Sequence, residues 1–432
     1  MSAVSRSIGV WGAFVLVHVS LGWICLGMPG TGIGAYAIGL PLGDVTLVYQ
    51  RWVEQALAGD GIPGIDGRWV YPAAALLPLF AAMAAGPENY GLTWLLLVTV
   101  LNAAALAVLL GRHRSPRRVA AAWWWIAFTA ALGPISLARI DSITVPLAII
   151  ALLVVAKHPR LAGTLLALAT WIKVWPAAII AAIVIASRRR WDIVVAGLVT
   201  SAVIALIVTA AGGSEFLFGF VAEQADRGLQ IEAPAASWYL WLAALGSGSS
   251  AIYYSTEILT FQVQGPNVDT VAAILTPVSA VAAAGVALIG LVAVRRGAPV
   301  VQVLPPLALA LVVTLMLVNK VGSPQFVTWL VAPVVLGIVW RGRRYLVPAL
   351  IALAVAVLTH LVYPYLYGHL LRADPVLVAI LTVRNLGYAV LLGWAIVAVA
   401  QAGRRASGSR AVSGPTAGVS METQSRSETA HH

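Results

Sequence analysis

The residues of this sequence that are best suited to acid–base chemistry lie in polar segments between long apolar runs. Asp44 stands in Gly43-Asp44-Val45, shortly after the first apolar run, and an aspartate at a membrane surface can accept a proton from a substrate hydroxyl. Tyr49 and Tyr71 follow in the same segment as candidate substrate contacts. Asp44 is therefore the candidate general base. Capping of the helix that begins near Val45 is the alternative, and one residue can serve both purposes.

Basic residues at similar depth, near the ends of apolar runs, form a second group: Arg139, Lys173, Lys320 and Arg384. A charge in such a position is costly, so it indicates a cavity or a partner. Around one cavity these cations, with Asp141 to orient them, would suit a lipid phosphate or pyrophosphate. Two alternatives stay open. Arg139 and Asp141 can form a structural pair, and Lys173 can extend its side chain toward the membrane surface.

Three further residues are candidate sugar or phosphate contacts. Arg227 and Gln230 belong to the segment Arg227–Glu232, and Gln325 follows a Ser-Pro pair. An ordinary solvated loop is the alternative for the first segment. Nothing in the sequence requires a metal or another cofactor, and Cys25 is the single cysteine, which excludes a disulfide framework.

Composition places these residues in a membrane protein. The chain is 60% hydrophobic and only 10% charged, a balance that excludes a soluble globular protein of 432 residues. The net charge of +11 does not indicate nucleic acid, because the basic residues lie in short clusters between apolar runs. Such clusters are typical of cytoplasmic loops.

The lengths of the apolar runs predict an all-α polytopic membrane protein with about twelve membrane helices. The run 161–186 has Lys173 and Pro176 near its middle, which favours a broken or re-entrant pair of half-length helices. The short run 71–85 predicts an interfacial or re-entrant helix. The remaining runs predict spans near 9–28, 91–111, 119–138, 142–156, 191–211, 268–294, 299–318, 325–340, 345–366 and 376–400.

The charge pattern predicts the orientation of the chain. With both termini in the cytoplasm, the basic clusters fall inside, and of the 16 acidic residues only Asp192, Glu422 and Glu428 do so. Two long extracytoplasmic loops result, 29–90 and 212–267. Residues 1–400 are then the membrane domain, and 401–432 are a disordered cytoplasmic tail. The inside clusters are Arg112/Arg114/Arg117/Arg118, Lys157/Arg160, Arg188–Arg190, Arg295/Arg296, Arg341/Arg343/Arg344 and Arg404/Arg405.

Short motifs follow one another along the chain: Asp-Val-x-x-x-Tyr-x-x-Trp from Asp44, a downstream Gly-x-Pro and Tyr-Pro, then Arg-x-Asp, Lys-x-Trp-Pro, Arg-Gly-Leu-Gln-Ile-Glu, Ser-Pro-Gln, Tyr-Pro-x-x-Tyr and Arg-Asn. This ordered series resembles glycosyltransferase family 87. The resemblance covers nearly the whole chain except the tail. One departure is that Tyr71-Pro72 is followed by Ala73, where the family often has a second proline.

The resemblance implies a GT-C-like bundle and a specific reaction. Polyprenyl-phosphate-mannose would donate a mannosyl residue to a glycolipid or lipoglycan acceptor, with inversion and with Asp44 as the base. The expected partners are therefore the lipid-linked donor, the glycolipid acceptor and the bilayer, without nucleic acid. Another lipid-linked sugar such as arabinose is an open alternative. A lipid or sugar transporter is the rival from another class, although transporters usually carry their charges near the membrane midplane.

Overall fold

The computed structural model describes residues 3–112, 115–225 and 227–412. Within these ranges, eight helices are long and apolar enough to cross a membrane. Shorter apolar helices, Ala73–Ala85, Asp141–Val154 and Pro176–Ala186, lie between them. The predicted class, an all-α polytopic membrane protein, is confirmed.

The chain forms seventeen helices and two strands over its described residues. In order they are α1 (Ala3–Cys25), α2 (Gln50–Ala58), α3 (Leu76–Ala82), α4 (Tyr90–Leu110), α5 (Pro116–Leu132), α6 (Asp141–Val154), α7 (Pro159–Ile172), α8 (Pro176–Ala186), α9 (Arg190–Ala210), α10 (Gly219–Ala225), α11 (Ala236–Ala244), β1 (Ala251–Ser255), β2 (Thr260–Gln264), α12 (Val268–Arg295), α13 (Val300–Leu317), α14 (Val331–Arg341), α15 (Leu346–Val362), α16 (Tyr367–Leu371) and α17 (Pro375–Val412).

Helix α13 lies at the centre of the bundle, where it packs against α8, α12, α14 and α17. Helix α9 lies at the periphery and exposes Val195, Leu198 and Leu206, as a lipid-facing helix does. Its inner face approaches α7 closely, because Gly163 has no side chain to collide with the backbone of Ile193. Small residues at such contacts allow the close backbone approach that holds helices together in lipid.

The run 161–186 is broken, as predicted. Helix α7 ends at Ile172, Lys173 has an extended backbone, and α8 begins at Pro176. Proline has no N–H to continue a helix but suits a first turn, which explains why the new helix begins there. The two halves pack differently: α7 contacts α6 and α9, whereas α8 contacts α12 and α13. The break places Lys173 outside both helices.

The first loop is largely helical. A π-helix over Val45–Tyr49 continues directly into α2. The apolar run predicted at 71–85 is a helix, with 3-10 turns at Ala73–Ala75 and Met83–Ala85 on either side of α3. Helix α3 packs against α4. This loop is therefore attached to the bundle along its length.

The second loop contains two strands that were not predicted from the sequence. β1 and β2 pair antiparallel, with Ala251 opposite Gln264. Residues from the segment Arg227–Glu232 add to the open edge of β2: the Ile231 N–H donates to Phe261 O at 3.1 Å, and the Val263 N–H donates to Leu229 O at 3.0 Å. A pair of five-residue strands is too short to stand out from apolar runs of membrane length.

The last helix is longer than expected. Helix α17 continues to Val412, so the tail predicted to be disordered from residue 401 begins with helical residues. Residues 413–432, with Glu422 and Glu428, lie outside the described part of the chain, as does Arg114 of the predicted inside clusters.

Candidate active site

Asp44 and Arg139 form an ion pair at the end of the bundle where the first loop meets the turn between α5 and α6. Arg139 Nε lies 3.0 Å from Asp44 Oδ2, and the side chain of Asp44 is 40% exposed while that of Arg139 is 6% exposed. Asp44 makes no side-chain capping bond to the helix that follows it, so the capping alternative is wrong. The arginine therefore holds the carboxylate from its buried side and leaves the other side open.

Arg139 is fixed by several further bonds. Its Nη1 donates to Pro41 O at 2.6 Å and to Ala138 O at 2.7 Å, and its Nη2 donates to the Tyr363 hydroxyl at 2.7 Å. The alternative in which Arg139 pairs with Asp141 is wrong, since each of the two has a different partner. Arg139 therefore positions Asp44.

Asp141 and Lys173 form a second ion pair, in which the aspartate is fully buried and the lysine side chain is 15% exposed. Lys173 Nζ lies 3.2 Å from Asp141 Oδ2, and Trp329 Nε1 donates to Asp141 Oδ1 at 2.6 Å. Asp141 is fully buried with both oxygens engaged. The ammonium of Lys173 is thus directed at a buried acid, which favours a partner over extension of the side chain toward the membrane surface. Asp141 has no oxygen free for an acceptor hydroxyl.

Tyr71 links the two ion pairs. Lys173 Nζ lies 5.3 Å from the centre of the Tyr71 ring, and the Tyr71 hydroxyl lies 3.2 Å from the Tyr49 hydroxyl. Burial raises the pKa of Tyr71, Lys173 opposes that shift, and Asp44 adds to it. The phenol is therefore close enough to sense the charges of both pairs. Tyr49 and Tyr71 stay neutral and can act as hydrogen-bond donors.

Arg227 is a half-buried cation without an acidic partner among the described residues. Its Nε is buried, and within the described residues that atom has no hydrogen-bond partner and no carboxylate within salt-bridge distance. Burial lowers the pKa of Arg227, while the nearby Tyr71 and Glu223 oppose the shift. Leaving a partly buried guanidinium without a counter-ion is costly. An anionic substrate group next to Tyr71 would remove that cost.

Gln230 holds this region together rather than facing a ligand. In the amide orientation that satisfies both partners, it accepts a bond from Arg227 Nη1 at 3.1 Å and donates to Gly322 O at 3.2 Å. Its backbone N–H donates to Lys320 O at 2.9 Å. Lys320 lies in the segment that Gln230 contacts, Gln325 follows shortly after it, and both side chains are buried. The segment Arg227–Glu232 is therefore not an ordinary solvated loop.

Arg384 has a partner that the sequence reading missed. Arg384 Nη1 lies 3.2 Å from Glu232 Oε2, its Nη2 donates to Glu232 O at 3.0 Å, and both residues are almost fully buried. Burial raises the pKa of Glu232 to about 6, although Arg384 opposes the shift. Asn385 donates to Ser237 Oγ at 3.0 Å. These bonds attach the second loop to α17.

The residues predicted for the site are thus brought to one end of the bundle, but they differ in what they can do. The charge of Arg139 also acts on Glu232, which links the buried Glu232–Arg384 pair to the Asp44 region. Within the described residues, no group of three His, Cys, Asp or Glu side chains could hold a metal ion. The arrangement combines a half-exposed carboxylate, a pair of phenols and an unpaired guanidinium. It can accept a proton beside an anion-binding group.

Comparison with known families decides the identity. The sequence model of glycosyltransferase family 87 matches residues 69–318, more than half of the chain. The chain belongs to glycosyltransferase family 87. Comparison with curated proteins and with solved structures gives no significant match. Membership of family 87 makes this chain a multi-pass membrane glycosyltransferase.

The family 87 match covers only part of the predicted site. Asp44, Tyr49, Lys320, Gln325 and Arg384 lie outside it. The contacts with Arg139 and Glu232 nevertheless tie Asp44 and Arg384 to the matched region. The predicted residues inside the match are Tyr71, Arg139, Asp141, Lys173, Arg227 and Gln230.

Proposed function

We propose that this family 87 enzyme transfers a mannosyl residue from polyprenyl-phosphate-mannose to a glycolipid or lipoglycan acceptor, with inversion. Asp44 is the general base in this proposal. The observation that carries it is the asymmetric setting of Asp44, which is 40% exposed yet held at 3.0 Å by a buried arginine. A carboxylate in that setting is accessible to an acceptor hydroxyl and keeps a fixed direction.

The reaction is a single displacement. The acceptor hydroxyl gives its proton to Asp44, and its oxygen forms a bond to the anomeric carbon. The bond from that carbon to the phosphate oxygen breaks, and its electron pair leaves with polyprenyl phosphate. Attack from the opposite face converts a β-linked donor into an α-mannoside. Phosphate is a good leaving group, so the protein mainly positions the reactants and stabilises charge.

Arg227 and Lys173 are the groups that we assign to the donor phosphate. Both act electrostatically on Tyr71, so they approach the same phenol from two chain segments. Arg227 has a buried Nε without a partner, and Lys173 has N–H groups beyond the one directed at Asp141. A guanidinium and an ammonium together match the charge that develops on a leaving phosphate.

The charge distribution supports an extracytoplasmic location for this site. Asp44 lies in the first long loop, and the arginine-rich turns lie at the opposite ends of the helices. Both termini would then be in the cytoplasm, and the protein would reside in the cell membrane. A donor and an acceptor that are both lipids would reach Asp44 from within the bilayer surface.

A transfer assay with purified protein tests the proposal. Radiolabelled polyprenyl-phosphate-mannose and polyprenyl-phosphate-arabinose are offered separately with a glycolipid extract, to wild type, Asp44→Asn and Asp60→Asn. Asp60 is an exposed acid of the same loop and serves as the matched control. We expect mannose transfer by wild type and Asp60→Asn only.

Each of the other outcomes contradicts one part of the proposal. Transfer from the arabinose donor alone would mean that the enzyme transfers arabinose and not mannose. Turnover by Asp44→Asn moves the base to another residue. The absence of transfer from either donor, with protein that unfolds cooperatively on heating, contradicts both lipid-phosphate donors and leads to transport assays.

A further inference from the structure

Five arginines from distant parts of the sequence meet at the end of the bundle opposite Asp44. We call them the arginine cluster: Arg117, Arg296, Arg341, Arg344 and Arg405. Arg117 Nη1 donates to Trp340 O at 3.3 Å, and the charge of Arg341 is close enough to interact with those of Arg344 and Arg405. Arg296 packs beside Gly403 at the end of α17. Four turns or helix ends therefore contribute to one surface.

The cluster is remote from the catalytic region. Helix α5 has 17 residues between the cluster and the turn that holds Arg139, and this corresponds to about 25 Å. Along α17, Arg405 lies about 30 Å from Arg384 by the same helical rise. A ligand at the cluster therefore cannot be the sugar donor bound near Asp44.

The cluster lacks the acids that neutralise neighbouring arginines. Arg160 and Arg189 both pair with Asp192, at 3.1 Å each. No member of the cluster forms an ion pair with a carboxylate in the part of the chain that the structure describes. Basic loops tend to remain on one side of the membrane, which explains why the arginines of the cluster lie at the same end of the bundle. That tendency does not require five arginines to converge on one surface.

Repulsion among the cluster residues would be reduced by an anion. Arg341 is half-buried, and its Nη1 is held by Gln302 O at 3.0 Å, which keeps the guanidinium in place among like charges. Guanidinium groups bind phosphate through parallel hydrogen bonds. Directly after Arg344, at the start of α15, the side chains of Leu346 and Val347 are 56% and 52% exposed. A phosphate and an apolar chain are thus accommodated side by side.

We propose that the arginine cluster is a binding site for the phosphate headgroup of an anionic phospholipid. The lipid phosphate lies among the guanidinium groups, and its acyl chains lie along the exposed apolar start of α15. Basic pockets between membrane helices bind anionic headgroups in this way. The combination of unpaired arginines with adjoining apolar side chains favours a lipid over free phosphate.

The test compares two double variants that each remove two arginines from the same end of the bundle. Arg341→Gln with Arg344→Gln alters the cluster, and Arg160→Gln with Arg189→Gln alters the neutralised group. Purified full-length protein in neutral detergent is titrated with phosphatidylglycerol, phosphatidylcholine or inorganic phosphate, and bound ligand is followed by native mass spectrometry. We expect wild type to prefer phosphatidylglycerol to phosphatidylcholine.

The cluster variant should bind phosphatidylglycerol roughly 25-fold more weakly, since each of the two basic residues near an anionic surface contributes about a factor of five. The control variant should bind it as wild type does. Equal weakening in both variants would overturn the proposal, as would equal affinity of wild type for the two lipids. Displacement of the lipid by millimolar inorganic phosphate would show a free-phosphate site instead. A cooperative thermal transition for each variant verifies that it is folded.

Discussion

The turn between α5 and α6 and the start of α6 each contribute one residue to an aspartate–cation pair, and the two pairs differ in the exposure of the aspartate. Asp44 pairs with Arg139 and is 40% exposed, whereas Asp141, two residues after Arg139, pairs with Lys173 and is fully buried. In the first pair the cation is buried and the acid is open. In the second pair the acid is buried and has no oxygen left. Pairing alone therefore does not identify a candidate base, and of the two aspartates only Asp44 has a carboxylate that an acceptor hydroxyl could reach.

The two pairs also differ in their effect on folding. Removing one partner of a buried pair leaves an uncompensated charge, which is strongly destabilising. Asp44→Asn also takes the carboxylate away from the buried Arg139, but Arg139 keeps its hydrogen bonds to Pro41 O, Ala138 O and the Tyr363 hydroxyl. The first pair should therefore respond mainly in activity and the second mainly in stability.

The largest expected effect is on turnover in Asp44→Asn. Without a group to take the proton, the transfer rate should fall by about 10³-fold, within the usual range for general-base catalysis. The midpoint of thermal unfolding should fall less than in Asp141→Asn, because Arg139 keeps three other hydrogen bonds. Single-turnover transfer and thermal unfolding of the same preparation check both parts. A large loss of stability would mean that the first pair is structural as well.

Asp141→Asn should show the reverse. Lys173 would remain buried without its counter-ion, so the free energy of unfolding should fall by about 3–5 kcal/mol. Thermal unfolding in detergent measures the change. The double variant Asp141→Asn with Lys173→Met removes both charges and should recover much of the loss. If Asp141→Asn unfolds like wild type, the distinction between the two pairs does not hold.

Arg227→Gln extends the comparison of the two ion pairs to a cation that has no acidic partner among the described residues. Loss of a charged hydrogen bond to the donor phosphate should lower kcat/KM about 10- to 100-fold. Stability should fall only slightly, since no ion pair among the described residues is broken and one hydrogen bond to Gln230 is lost. Arg372→Gln, which removes an exposed arginine, is the control and should leave kcat/KM unchanged. Loss of stability without a kinetic change would assign Arg227 to packing.

The smallest expected effect concerns the pH dependence of stability at the Glu232–Arg384 pair. Burial raises the pKa of Glu232 from 4.5 to about 6, so the folded protein binds this proton more tightly than the unfolded chain does. The contribution is therefore present below pH 4.5 and is lost as the pH rises through 6, by about 2 kcal/mol.

Thermal unfolding between pH 4.5 and 7 measures this contribution. Glu232→Gln should flatten the profile relative to wild type over that window. Asp269→Asn, on the exposed start of α12, changes a carboxylate without an ion pair and should keep the wild-type slope. Identical slopes in wild type and Glu232→Gln would show that another group titrates.

Local patterns were sufficient to predict most of the membrane helices. Apolar length sets a span, and the charge and proline at Lys173 and Pro176 predict a break where the structure has one. The strands 251–264 were not predicted, because five-residue strands carry little periodicity. The disordered tail was predicted to begin at residue 401, but α17 continues to Val412. The small and polar residues after 401 do not indicate a helix.

The sequence was sufficient to predict which residues belong to the candidate site, but not which of them form ion pairs with one another. An isolated arginine such as Arg384 indicates that an anion is near, and the sequence does not say whether that anion is a substrate or Glu232, 152 positions earlier. Partner choice depends on which loops meet, and this is a property of the fold. Only the short segment Arg227–Glu232, with an arginine and a glutamate together, offered a signal for the missed acid.

The bond between Glu232 and Arg384 also orders the biosynthesis of the protein. Helices enter the membrane from the N-terminus onward, so Asp44 can meet Arg139 as soon as α6 has been made. The second loop waits longer, because its anchor lies on α17, the last helix to be translated. A chain that ends before α17 would keep the Asp44–Arg139 pair but lack the Arg384 anchor of the second loop. We therefore expect the loop that carries Arg227 to reach its final position only after the last helix has been inserted.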